Sequence, residues 1–469
     1  MGDDSDDSRN EDDLSELLRR MLGGQGGIDP AEIERLTGMP VDPSMLAMIS
    51  QQLRGAFAGG GDGISWDLAK RQALQIAESG ALSVTDGQRV DLDEALALAT
   101  LWLGEATTIS DLAHSARVLT RAQWVEASLP VWQELAEPVA ESIADALTAT
   151  LEEQAPEEMR AMMQGAGRLM RTVGGSLFAT QLGQVVGRLS TEVISGGDVG
   201  IPVMPAGKAA ILPQNFADFG RDLDIGEDQL ALAVAVRELA HARLFRHAKW
   251  LRLHVISQVT EFARGIRVDT EALEDLAGRF DPQRPEELRQ ALESGALLPA
   301  HSEAQRQALG RLETLLATVE GWVDVVTEDA TARLPKAGAI AETVRRRRAA
   351  GGPAEQALGS LVGLELRPRR LREAAAMWRA VTNAVGIEAR DSLWDYPDFM
   401  PTAEDIDDPD ALITRLQARA RGEQVSADEL DDAIARILAG EEPAPDDGEG
   451  EGTSPSDDAT GEEEPPRPA

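Results

Sequence analysis

Two runs hold the side chains of this chain best suited to acid–base or metal chemistry: Arg237-Glu238-Leu239-Ala240-His241 and Glu320-Gly321-Trp322-Val323-Asp324. The first differs at one residue from His-Glu-x-x-His. In that pattern two imidazoles at i and i+4 share a helix face and bind zinc, and the Glu between them activates the metal-bound water. Here the Glu and the second His are in place, and the first His is replaced by Arg237. An arginine stays protonated and has no lone pair to give. Beside a carboxylate such as Glu238 or Glu320 it forms charge-assisted, bidentate bonds instead. In the second run, two carboxylates four apart share one helix face, a weak signal alone and a stronger one when it follows the first.

These side chains need elements to carry them. Leu230-Ala231-Leu232-Ala233-Val234-Ala235-Val236 precedes Arg237 and has no polar face, so it predicts a helix buried on all sides. Asp224-Ile225-Gly226-Glu227 has the form of a capping box at its start. Arg237, Glu238 and His241 then lie at the level of a buried helix, where an unpaired charge is very costly. They must be paired with one another or bound to something. Helical periodicity covers 64–80, 92–105, 107–116, 120–128, 130–150, 156–172, 174–196, 226–246, 248–265, 269–275, 284–294, 302–332, 336–349, 354–362, 367–385 and 408–420. Ile201 to Phe219 reads as extended, with room for two short strands about the Gly207-Lys208 turn. The expected fold is mainly α with a small edge sheet. Boundaries fall at a mostly disordered segment 1–62, a helical subdomain 63–200, a core 201–425, a short helix 426–440 and a disordered acidic tail 441–469, the ends being too poor in apolar residues to fold.

Several stretches together resemble the zincin-like zinc-dependent metalloproteases of bacteria, over roughly residues 64 to 415. They are Arg121-Ala122-Gln123-Trp124-Val125-Glu126-Ala127, Leu129-Pro130-Val131-Trp132, the run from Arg237 to Leu251, and Glu320 to Asp324. Gly351-Gly352-Pro353, Gly363 to Arg370 and Pro401 to Asp405 complete the set. The resemblance implies a zincin core of the gluzincin kind, with zinc as cofactor. It puts Glu238 in the place of the general base, His241 and Glu320 in those of zinc ligands, and Asp324 in that of the carboxylate that orients a ligand imidazole. Arg237 departs from the family pattern at the first ligand. That leaves two ligands where a zinc site needs three.

Composition bounds the rest. The net charge of −37 would repel a phosphate backbone, and 4% aromatic residues offer few stacking surfaces for single-stranded nucleic acid. There is no Cys, so thiolate metal sites are excluded. No apolar run approaches a membrane span, and the acidic start lacks the form of a signal peptide, so the expectation is a cytoplasmic protein without nucleic-acid or membrane partners. No Gly-rich loop has the Lys-Ser/Thr context of a phosphate cradle. His247, seven before His254, would supply a missing ligand if the chain turned near Ala248. Asp111-x-x-His114 with Glu238-x-x-His241 has the form of half a di-iron site. The run Arg345–Arg348 calls for acidic partners within the chain. The function expected is a peptide- or protein-binding pseudoprotease with zinc catalysis impaired or absent. The alternatives are an active zinc peptidase with an atypical metal site and a purely structural helical scaffold.

Overall fold

The computed structural model describes residues 64–154, 160–266, 301–351, 359, 363 and 369–421. The expectations for 1–62, 269–275, 284–294, most of 354–362, 426–440 and 441–469 lie outside them. The chain divides into Met1–Ile413 and Thr414–Ala469. In the second unit, Thr414–Arg421 are described, almost all as the end of a helix.

Twelve α-helices are described: α1 Trp66–Glu78, α2 Asp86–Ala106, α3 Arg121–Gln154, α4 Arg160–Glu192, α5 Pro213–Gly220 and α6 Glu227–His247. They continue with α7 Trp250–Arg264, α8 Glu303–Thr331, α9 Ala337–Ala350, α10 Leu371–Asp391, α11 Ala403–Asp407 and α12 Pro409–Ala420. Two 2-residue strands, β1 Arg117–Val118 and β2 Ala210–Ile211, pair in parallel. The protein is mainly α with one small sheet. Elements on both sides of residue 200 pack together: α2 against α6, and α3 against α7. Among the described residues no helix is long and apolar enough to cross a membrane.

Local chemistry explains where several helices start. Thr85 and Gln88 close a capping box on α2, as Ser302 and Gln305 do on α8. On α2 the buried Leu92, Leu96, Ala99, Leu103 and Ala106 alternate steps of four and three, the spacing of one helix face. α6 is buried from Leu230 through Val236, as its unbroken apolar run requires. Its start differs from expectation. Gly226 is the N-cap without a side-chain bond, and Asp224 pairs with Lys336 at 2.9 Å.

Other boundaries moved for identifiable reasons. Residues 107–116 are not helical, because Thr107 Oγ1 and the Thr108 N–H donate to Asp391 at 2.7 and 2.8 Å. α3 runs on through Pro130 and Pro138, where a break was expected at 128–130. The segment 201–219 forms one strand and not two. Pro202 and Pro205 remove donors from its first arm, and Pro213 opens α5. β2 pairs instead with β1 on one edge and with Ser195 on the other, where the Gly196 N–H donates to Ala210 O at 2.9 Å and the Leu212 N–H to Ile194 O at 2.9 Å.

α8 packs on α2, α6, α7 and α10. Beside it lies a tryptophan cluster. Trp394 stacks on Trp378 at 5.4 Å and on Trp250 at 6.5 Å, and meets Trp322 edge-on at 6.3 Å. The indole N–H groups of Trp322 and Trp378 donate to Asp391 Oδ1 (3.0 Å) and Thr318 O (2.8 Å).

Candidate functional site

α6 and α8 bring the two runs together, although 79 residues separate His241 from Glu320. Glu320 is 0% exposed and is the hub. Its Oε1 accepts from His241 Nε2 at 2.9 Å. Its Oε2 pairs with the Arg237 guanidinium and lies 3.4 Å from Arg348 Nε, which α9 contributes. Burial alone would raise the Glu320 pKa, but Arg348 and Arg237, with His241, outweigh it and hold the carboxyl well below its ordinary range. For His241 burial dominates in the other direction. It lowers the imidazole pKa against the pull of Glu320, and the two arginines lower it further. The ring is therefore neutral at pH 7. Because a carboxylate only accepts, Nε2 carries the hydrogen, and Nδ1 is left with a buried lone pair and no partner among the described residues.

Glu238 is 2% exposed and faces a different set of atoms. The Gly197 and Ala210 N–H groups donate to its Oε2 and Oε1 at 2.7 and 2.8 Å, with the Ser195 hydroxyl nearby. Burial pushes its pKa up to about 7, against the pull of those donors. Arg237 thus goes to Glu320 and leaves Glu238 to the backbone. Asp324 Oδ2 accepts from Arg345 Nε and Nη2 at 2.8 and 2.6 Å, so its bonds run to α9 rather than to the His241 ring.

The segment from Ser195 to Gly200 lies across this cluster. A Cβ at Gly197 would meet His241 Cγ at 2.9 Å, and one at Gly200, whose φ is +84°, would meet Arg348 Nη2 at 2.5 Å. α9 fastens the segment. Arg347 pairs with Asp198 at 2.6 Å, and Arg348 donates to the Asp198 and Val199 carbonyls at 2.5 and 3.3 Å. The basic run 345–348 does find acidic partners within the chain, each arginine a different set.

The other candidates lie elsewhere. His247 ends α6 and bonds Asp395 at 2.9 Å. Asp111 pairs with Arg243, so no second metal-facing motif meets Glu238 and His241. Sequence reasoning missed Arg348 and the donors Gly197 and Ala210. The first was one of four identical residues, and the others act through the backbone, which carries no side-chain signal.

Beside Glu238 and His241 is a pocket of about 240 Å³, walled by Ile201, Pro202, Met204 and Phe245, with Lys208 and Lys249 among its lining.

A zinc ion here would need three protein donors. His241 Nε2 and Glu320 Oε1 converge as two ligand atoms would, but Nε2 holds a proton toward Glu320. The unprotonated Nδ1 lies on the other side of the ring, and two guanidiniums sit where the remaining positive charge would go. Among the described residues no group of three or more His, Asp or Glu is placed to hold a metal ion. The residues present do not fit the metal.

A family model described as zincin-like metallopeptidase matches residues 64–413. The crystal structure of a Chloroflexus aurantiacus protein, described as "a putative hydrolase with a novel fold", superposes with a TM-score of 0.52 at 19% identity. The likeness covers 76% of this chain and 99% of that one, and at this identity it is a likeness of fold. No curated protein matches the sequence. Because the family match spans well over half of the 469 residues, and takes in α6 and α8 with the Arg237–His241 and Glu320–Asp324 runs they carry, the chain belongs to the zincin-like metallopeptidase family.

Proposed function

We propose that this chain is a non-cleaving member of its family, a pseudoprotease that binds peptide or protein without zinc. One observation carries the reading: the Glu320 carboxylate is neutralised by Arg237 and Arg348, the first of which stands at the position of a metal ligand. A guanidinium cannot coordinate a metal, and the charge a metal would supply is already present. Glu238, in the place of a general base, has both oxygens bound by backbone N–H groups. A base must lie within hydrogen-bond reach of the proton it takes, directly or through one water. Here each oxygen of Glu238 already accepts a bond from the chain itself, which holds the carboxyl to the backbone rather than to a metal-bound water. The pocket beside Glu238 and His241 offers the binding volume.

Metal analysis of the purified chain, paired with a peptidase assay, tests this. The expected result is less than a tenth of an equivalent of zinc and no cleavage that a chelator abolishes. Stoichiometric zinc whose removal also removes a peptidase activity would overturn the proposal and establish an active enzyme with an atypical site.

A further inference from the structure

The chain has four lysines. Two are paired, Lys70 with Glu126 at 3.6 Å and Lys336 with Asp224 at 2.9 Å. The other two, Lys208 and Lys249, both line the pocket beside Glu238 and His241, and neither ammonium has an ion-pair partner among the described residues. In a protein of net charge −37, acidic side chains are abundant, and most cations described here have one. Arg252, the third cation at this pocket, is held by Glu134 at 2.6 Å. Two unpaired ammonium groups at one pocket form a positive mouth on an acidic molecule, which draws and holds an anion.

The pocket limits what that anion can be. Its walls at Ile201, Pro202, Met204 and Phe245 are apolar, so the ligand must bring an apolar body. Its volume of about 240 Å³ has room for one large side chain and its end group. Strand addition to β2 is closed, since β1 takes one edge and the segment at Ser195 the other. An end-on mode remains. Glu238 at the inner wall disfavours a dianion such as a phosphate ester, whereas the lysines at the mouth suit a single carboxylate.

We propose that this pocket binds the C-terminal residue of a peptide, with Lys208 and Lys249 holding the terminal carboxylate and the apolar walls holding the last side chain. This rests on the reading of the pocket as a peptide-binding site. A free acid with the same apolar body shares the chemistry, and the experiment separates the two sources.

Fluorescence anisotropy on the full chain would compare a labelled tetrapeptide ending in Phe with its C-terminal amide. The parent should bind the acid about tenfold or more tighter than the amide, the effect of one charge-assisted bond. Lys208→Gln with Lys249→Gln should abolish that preference and leave the thermal midpoint unchanged, since neither lysine holds the fold. Equal binding of acid and amide by the parent, or a preference that survives in the double variant, overturns the carboxylate site while leaving peptide binding intact. Binding of N-acetyl-phenylalanine with the same lysine dependence, but of no peptide, keeps the carboxylate site and overturns the peptide reading. No binding of any of these probes overturns both.

Discussion

A carboxylate taken out of water costs several kcal/mol unless charges and donors replace the solvent. For Glu320 that replacement is divided among Arg237, Arg348 and the His241 N–H. Arg237→Ala leaves one guanidinium and the imidazole behind, so its cost should sit near the low end of the roughly 3–5 kcal/mol of a broken buried pair. The same holds for Arg348→Ala. The double variant strips Glu320 of both cations beside a neutral ring, and its destabilisation should exceed the sum of the two. Urea unfolding of the four proteins gives the coupling, and simple additivity would mean that the arginines do not share Glu320. Glu238 behaves differently. Its pKa rises from 4.5 in an unfolded chain to about 7, so the folded state holds its proton more tightly. The stability linked to it is full below about pH 4.5 and is lost as pH rises through 7, by up to about 3 kcal/mol. Glu238→Gln does not titrate. Relative to that variant, the parent should lose stability between pH 4.5 and 7.5, and parallel pH profiles for the two would refute the assignment.

At the scale of elements, the segment from Ser195 to Gly200 works only because glycines let backbone lie against buried charge. Gly200→Ala asks a side-chain-bearing residue to hold φ +84° and drives a methyl group toward Arg348 Nη2 and Glu320 Oε1. The two effects together should cost at least about 2 kcal/mol, measurable as a lower midpoint in thermal unfolding; an unchanged midpoint would show that the segment lifts away freely. α6 and α8 are legible in the sequence, α6 because Leu230–Val236 lies within Glu227–His247, 21 residues without Gly or Pro and too long for a buried strand. The pairing of Arg237 with a carboxylate followed from burial and charge. The β1–β2 pair was not legible. Two-residue strands have no periodicity to read, and their partners, 117–118 and 210–211, lie far apart in the chain. The start of α6 was misread because Asp224 had a second suitor, Lys336, that local sequence does not reveal.

Taken whole, the molecule places its charge cluster against its aromatic one. α8 separates and joins them: Glu320 and Asp324, four apart, face α6 and α9, while Trp322, roughly 200° round the helix from Glu320, faces Trp394 on the other side. The large aromatic surface there supplies the apolar burial that a charged neighbour cannot. The stack also makes the protein its own spectroscopic reporter. Trp378 and Trp394, 5.4 Å apart and inclined at 29°, are near enough for their transitions to couple, which gives a near-ultraviolet circular dichroism band set by their relative orientation. Trp322 lies two residues from Glu320, so a change in the ion cluster that shifts α8 reaches the indoles directly. Loss of Arg237 or Arg348, which hold Glu320, should then register as a change in that band, without a label.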